Sequence, residues 1–390
     1  MKLGWIQNKQ SKWIILASLM TLIGIPIVGS LIRTGSMPPD FYLLASHALQ
    51  QPAFNLKVFC VLSVLFVLSF SVLLTPKWFG IQPSPFHLQP KPSTQGKFPK
   101  WFYPGCIIVV VAWFIMWGNY NVFGLLTHYM FVPLWAGFIL MLDGFLYRRN
   151  QGQSFLASRP KQFLGISLLS IIGWYYFEYL NFFILKNWYY PNLYLIPSPL
   201  TYIWAAFTFA CVWPGIFLIY NLLLTFPTLR NRYSCGKPLH LNPIWLWPIF
   251  IAGITLFLLS AIYPSLFFWL IWLGPILILS STLAYLNSWT PLTALKQGNW
   301  SPILLMALSA LICGFFWEFW NWPSEANNPN FWRYNLPFVH EFELFGMPIL
   351  GFSGYLFFGI ECWVIYIACA KLLGLNDDIQ LVKPHGNTTL

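Results

Sequence analysis

Two short stretches of this 390-residue chain place a glutamate and an asparagine three residues apart inside an aromatic sleeve. They are Trp174-Tyr175-Tyr176-Phe177-Glu178-Tyr179-Leu180-Asn181 and Phe315-Phe316-Trp317-Glu318-Phe319-Trp320-Asn321. On a helix that spacing sets the carboxyl and the amide on one face, one turn apart. A carboxyl in apolar surroundings holds a proton more firmly than one in water and suits general acid work, and aromatic faces stabilise positive charge. Glu178 and Glu318 are therefore the candidate catalytic groups, with Asn181 and Asn321 beside them as candidate substrate-binding groups. A second aromatic cluster follows each motif: Asn187-Trp188-Tyr189-Tyr190 after the first, Phe331-Trp332-Arg333-Tyr334 after the second. Trp188, Tyr190, Trp332 and Tyr334 join the candidate substrate-binding set, and the second loop adds Glu325, His340, Glu341 and Glu343.

The elements that must carry these residues are membrane spans. The chain is 58% hydrophobic, 20% aromatic and only 8% charged, against roughly 25% charged for a soluble domain. Apolar runs of spanning length fall at about 13–32, 57–75, 104–120, 125–147, 162–185, 201–226, 244–262, 265–287, 301–321 and 347–371. The fold class expected is all-α integral membrane with about ten transmembrane helices. A β-barrel would instead show short alternating segments. Of the 21 Lys and Arg, only Arg33, Lys57, Lys186 and Arg333 fall in the segments on one side. That bias predicts an N-in, C-in topology and accounts for the net charge of +11 without nucleic-acid binding. The first run, preceded by Lys2, Lys9 and Lys12, reads as an uncleaved helix. The seven cysteines, with no CxxC pair, read as small apolar groups.

The motif extends into a longer correspondence. Trp135 matches Trp272, Glu178 and Asn181 match Glu318 and Asn321, Trp188 matches Trp332, and Pro199 matches Pro348. The offset grows steadily from one pair to the next, with the increments falling in loops, as insertions would. Two parallel four-helix repeats plus two N-terminal helices are expected, related by a pseudo-two-fold axis along the membrane normal. The boundaries are 1–103 for the two N-terminal helices and a Pro-rich cytoplasmic linker, 104–243 for the first repeat, 244–374 for the second, and 375–390 for a cytoplasmic tail.

In that topology Glu178 lies about 16 residues from the inner end of its run, roughly 24 Å along a helix, and Glu318 similarly. Both belong near the outer leaflet boundary, where Trp and Tyr are enriched. A structural role, with Glu and Asn satisfying helix ends inside an aromatic belt, fits the same residues. Face-to-face packing of the repeats would bring both carboxyls and both amides to one aromatic pocket. Asp143 is expected to pair with Arg148 and Arg149 at the inner interface. Glu361 follows Gly346, Gly351, Gly354 and Gly359, is placed near the bilayer centre, and is a further substrate-binding candidate. His47, His87, His128, His240, His340 and His385 are scattered, so no metal or other cofactor is expected. No P-loop, dinucleotide fingerprint or nucleophile elbow occurs.

The second half of each repeat resembles the carotenoid-type lycopene cyclase domain. In that family an aromatic and acidic helix end leads through a short outer loop with Trp and an aromatic to a helix opening on a proline motif. Here the elements are Trp317-Glu318, Trp332-Arg333-Tyr334 and Met347-Pro348-Ile349-Leu350; in the first copy they are Phe177-Glu178, Trp188-Tyr189-Tyr190 and Ser198-Pro199-Leu200. The family's paired glutamates after the proline motif are replaced by Ile349-Leu350 and Leu200-Thr201. The resemblance thus implies a shared scaffold and lipophilic ligand class. Three functions fit the sequence: an enzyme or binder acting on an isoprenoid or other long lipid, a secondary transporter of a small solute, and a membrane scaffold without catalysis. The expected partners are membrane lipids and a lipophilic small molecule, with no nucleic acid, and the expected location is the bacterial inner membrane.

Overall fold

The computed structural model describes residues 2–38, 52–84, 96–118, 121–196 and 200–382. Pro199 and Ser198 of the expected correspondence lie outside the described residues, as do Lys91, Lys383, His47, His87 and His385. The principal helices are α1 (Lys2–Thr34), α2 (Leu56–Leu74), α3 (Phe102–Trp117), α4 (Phe131–Arg149), α5 (Pro160–Leu180), α6 (Leu200–Phe209), α7 (Val212–Leu224), α8 (Leu246–Ile262), α9 (Leu273–Tyr285), α10 (Ser301–Asn321) and α11 (Phe352–Leu373). Among the described residues nine helical segments are long and apolar enough to cross a membrane. The protein is an all-α integral membrane protein. Its third apolar run, expected at 104–120, forms the 16-residue α3, about 24 Å long against the roughly 30 Å of a hydrocarbon core.

Helix boundaries follow local chemistry. Asn55 caps α2, its side-chain oxygen accepting from the Lys57 and Val58 amides at 3.0 and 3.2 Å. Pro160 and Pro302 sit in the first turns of α5 and α10, where a missing N–H costs nothing. The sixth run, expected as one helix, breaks at Ala210–Cys211 into α6 and α7. Pro214 explains the break, because it donates no amide and its ring crowds the carbonyl four residues back, that of Ala210. Ser170 of α5 repairs the gap: its hydroxyl donates to the Phe209 carbonyl at 2.6 Å and accepts the Trp213 amide at 3.0 Å.

Two helix pairs meet backbone to backbone. A Cβ at Gly105 of α3 would stand 3.0 Å from the Gly137 carbonyl oxygen of α4, and one at Gly253 of α8 would stand 3.0 Å from that of Gly274 in α9. With no hydrophobic drive between helices in lipid, such close contact supplies the dispersion that holds them.

At one end of the bundle the basic segments are tied together. Arg149 donates to Thr225 at 2.8 Å, Arg159 to the Gln380 carbonyl at 3.2 Å, and Arg232 to the Leu74 carbonyl. The expected ion pair of Asp143 does not form. Asp143 is buried and accepts from the Ser154 hydroxyl at 2.7 Å, the Leu156 amide at 3.2 Å and the Trp101 indole at 3.2 Å. These neutral donors lie beside it, whereas Arg148 and Arg149 stack over Phe98 and Phe226. At the opposite end two strands pair antiparallel, β1 (Trp188–Tyr189) with β2 (Arg333–Tyr334), in the register Trp188 to Tyr334 and Tyr189 to Arg333.

Candidate functional site

The carboxyl-bearing helices α5 and α10 end on the side of the molecule where β1 and β2 pair. Helix α5 runs on into a π-turn, Asn181–Leu185, that closes at Lys186 with φ +50°, a left-handed residue that reverses the chain into β1. The Asn181 amide fixes that reversal. It donates to the Trp188 carbonyl at 2.8 Å and accepts from the amides of Asn187 at 2.9 Å and Trp188 at 3.4 Å. Asn321 acts alike in the other loop, donating to the Trp332 carbonyl at 2.8 Å and accepting its amide at 3.2 Å. Each asparagine thus hangs the tryptophan loop over the glutamate one turn below. Both amides are engaged with backbone, and neither residue is among those lining the two cavities described here.

The loops return their aromatic donors to the carboxyls. Glu178 Oε1 accepts from the Trp174 indole at 2.9 Å, the Trp188 indole at 3.2 Å and the Tyr190 phenol, and Oε2 shares the Trp188 donor at 3.3 Å. Glu318 is wholly buried; its Oε1 accepts from Tyr334 at 2.7 Å and from Tyr355, and the Tyr334 phenol in turn accepts the Trp332 indole at 3.1 Å. Glu318 Oε2 is buried without a partner. Burial first, then the adjacent carboxyls Glu178 and Glu318, hold the phenols of Tyr190 and Tyr334 well above their usual range, so both stay protonated donors.

Between these groups lies a cavity of about 180 Å³. Glu178, Trp188 and Tyr190 border it from one loop and helix, and Trp317, Trp332 and Tyr334 from the other. Glu318 stands one phenol behind the wall, bonded to the lining residues Tyr334 and Tyr355. The lining residue Tyr202 on α6 is 45% exposed at the surface of the bundle. Among the cavity's other polar side chains Asn330 donates to Thr208 at 2.8 Å and Thr201 donates to the Ile196 carbonyl at 2.7 Å, whereas the indole N–H of the lining residue Trp135 is buried without a partner. The lining thus presents aromatic surface, one carboxyl and one unpaired indole donor.

Of the residues singled out by sequence, Glu178, Trp188, Tyr190, Trp332 and Tyr334 meet at this cavity and Glu318 adjoins it. Glu361, the other candidate, does not line this cavity. It sits on α11 one turn beyond the lining residue Phe358, buried, with neither oxygen hydrogen-bonded. Two donors escaped notice. Trp174 lies four residues before Glu178, a spacing at which helical side chains touch and which therefore signalled the contact. Tyr355, on a different helix from Glu318, carried no local signal. Among the described residues no cluster of His, Cys, Asp and Glu could hold a metal.

Fold and site together define a polytopic all-α membrane protein with a carboxyl-bearing aromatic cavity. Comparison of the chain with protein-family models, with curated proteins and with solved structures finds no match.

Proposed function

We propose that this protein binds, and acts on, a long lipid of the isoprenoid class in the cavity between α5 and α10. One observation carries the reading: a cavity among the helices is walled by aromatic faces, the carboxyl of Glu178 and the unpaired Trp135 indole N–H. Such a site suits an apolar body with one polar or electron-poor position, held by ring faces and by an anion placed among them. The resemblance of the loop layout to the carotenoid-type lycopene cyclase domain points to the same ligand class. Glu178 is the polar anchor at the wall, and Glu318 is the proton-bearing group behind Tyr334 and Tyr355.

The reading carries with it a duplication. Paired strands from two loops, like-placed asparagines under two tryptophans and glycine contacts in α3–α4 and α8–α9 all support two parallel four-helix units. The basic residues, tied together at one end, support that end as cytoplasmic in a bacterial inner membrane. The break between α6 and α7 beside the cavity favours a second reading, a secondary transporter, since transport sites use interrupted helices. Against it, α11 carries no such break over Phe352–Leu373.

The test is to extract and identify lipids that co-purify with the wild type and with Ala205→Trp, which projects a large ring into the cavity from the thin helix α6. A defined lipid present in the wild type and depleted in Ala205→Trp is expected; equal lipid content in both refutes the site. Once the lipid is known, Glu318→Gln is expected to remove its turnover, by about 10²–10⁴-fold, because the proton it holds reaches the ligand through the Tyr334 or Tyr355 phenol, which gives its own proton up and takes that of Glu318. Full turnover in that variant would rule out the acid role.

A further inference from the structure

A second cavity, of about 240 Å³, lies against the first. Six residues wall both: Trp188, Trp272, Tyr334, Met347, Gly351 and Gly354. The partition is therefore made of the β1–β2 pair on one side and the approach to α11 on the other. Gly354 lies in that partition, and a Cβ there would meet only the Trp272 ring, at 3.4 Å, so the space beside the indole is not filled by a side chain at this position. Helix α2 forms the outer wall of the second cavity with Leu62, Leu65, Phe66 and Ser69, although it completely buries only Leu73.

The second cavity is apolar, with one exception. Ser69 and Ser353 donate to carbonyls in their own turns, at 2.8 and 2.7 Å. Asn187 also lines the cavity, is 4% exposed, and its side-chain oxygen is buried with no hydrogen-bond partner. An unpaired buried amide oxygen is costly unless a ligand or water completes it. Its backbone is already used, accepting from Asn335 at 2.6 Å and donating to Asn181 at 2.9 Å, which leaves the side-chain oxygen of this lining residue as its unmatched polar atom.

We infer that the two cavities are halves of one bent tunnel that takes a single long-chain alcohol, its chain passing Gly354 and Trp272 and its hydroxyl pairing with the Asn187 amide. This rests on the lipid-binding reading above and adds to it the length and polar group of the ligand. The middle of the chain then crosses the Trp188–Tyr334 pair next to Glu178, where the carboxyl meets a position remote from either end. An amide both donates and accepts, which is the pattern a hydroxyl completes.

The test uses the full chain in lipid nanodiscs and reads displacement of a brominated straight-chain alcohol, whose bromine quenches the cavity tryptophans. Competitors are prenyl alcohols of increasing length, straight-chain alcohols of matched length, and the corresponding hydrocarbons. The wild type is expected to bind long alcohols at least about tenfold more tightly than short ones, because each buried methylene adds to affinity. Gly354→Leu, which fills the passage, is expected to erase that length preference while short chains still bind. Leu65→Trp, placed on the lightly packed α2, is expected to do the same from the far wall and covers the case in which Gly354→Leu fails to fold. Asn187→Leu should remove the preference for alcohol over hydrocarbon and leave the length preference intact. A preference for prenyl over straight chains marks an isoprenoid source, and equal binding marks an acyl one; both support the tunnel. Binding that ignores length in the wild type, or a length preference unchanged by both blocking variants, overturns the tunnel and leaves the lipid site standing. Failure of the wild type to bind any probe overturns the lipid-binding reading itself.

Discussion

The same four-residue pattern, Glu-x-x-Asn, ends α5 and α10, yet the two glutamates live differently. Glu178 borders the cavity and draws on two indoles and a phenol, with donors to both oxygens. Indole nitrogens only donate, so this ring of partners is complementary to an acceptor-only carboxylate. Glu318 sits behind the wall with two phenols on one oxygen and nothing on the other. Phenols can accept as well as donate, and the bare oxygen leaves room for a proton. The contrast teaches that identical short motifs acquire distinct chemistry from residues brought by other elements, and that two carboxyls with unequal surroundings are the usual raw material for divided acid and anion roles.

Substitutions that treat the two sites alike should therefore give unlike results. The largest expected effect is at the asparagines. Asn181→Ala strips partners from the Asn187 amide and from both backbone groups of Trp188, and is expected to cost roughly 2–4 kcal/mol in detergent-melting experiments. Asn321→Ala removes one bond fewer and should cost less, about 1–3 kcal/mol. Equal losses would show that the loops, and not these amides, set the stability. Next come the carboxyls. Glu178→Gln turns an amide donor toward the Trp188 indole and is expected to destabilise by about 1–2 kcal/mol. Glu318→Gln exchanges one unpaired buried atom for another at the bare oxygen and leaves the two phenol bonds on the first, so it should cost less than Glu178→Gln, under about 1 kcal/mol. A reversed order would mean that the two hydrogen-bond shells have been assigned the wrong way round.

The smallest effect is alkaline. Folding raises the affinity of Tyr190 and Tyr334 for their protons, so the stability they contribute is fully present below the ordinary phenol value of about 10. Above that pH the unfolded phenols ionise first, and stability falls as pH rises. Melting temperature is expected to drop past about pH 10, less steeply in Tyr190→Phe and Tyr334→Phe than in the wild type. An unchanged slope in both variants would place the alkaline loss elsewhere.

Much of this was legible in the residues. Composition made the chain a membrane protein, and continuous apolar runs in place of short alternating segments made its spans helices. The aromatic sleeve and the loop tryptophans gave the location of the site, since spacing along a helix or a short loop limits where a side chain can reach. The loop-holding bonds of the asparagines were not legible, because an amide one turn from a carboxyl carries no sign of the π-turn after Leu180 that brings Asn181 onto its own loop. Tyr355, Gly354 and Asn187 depend on packing between distant elements, which no local pattern encodes. Asp143 failed for a related reason: nearby arginines in sequence stack on Phe98 and Phe226, while the true donors Trp101 and Ser154 arrive from adjoining loops.

The most direct test is an electron-density map of the protein purified into nanodiscs from its native membrane. An elongated density lying against Trp188 and Tyr334, with its middle beside the Glu178 carboxyl and one end at Asn187, is the expected result. A cavity holding only water, or lipid density confined to the outer faces of the helices, would contradict a lipid site between α5 and α10.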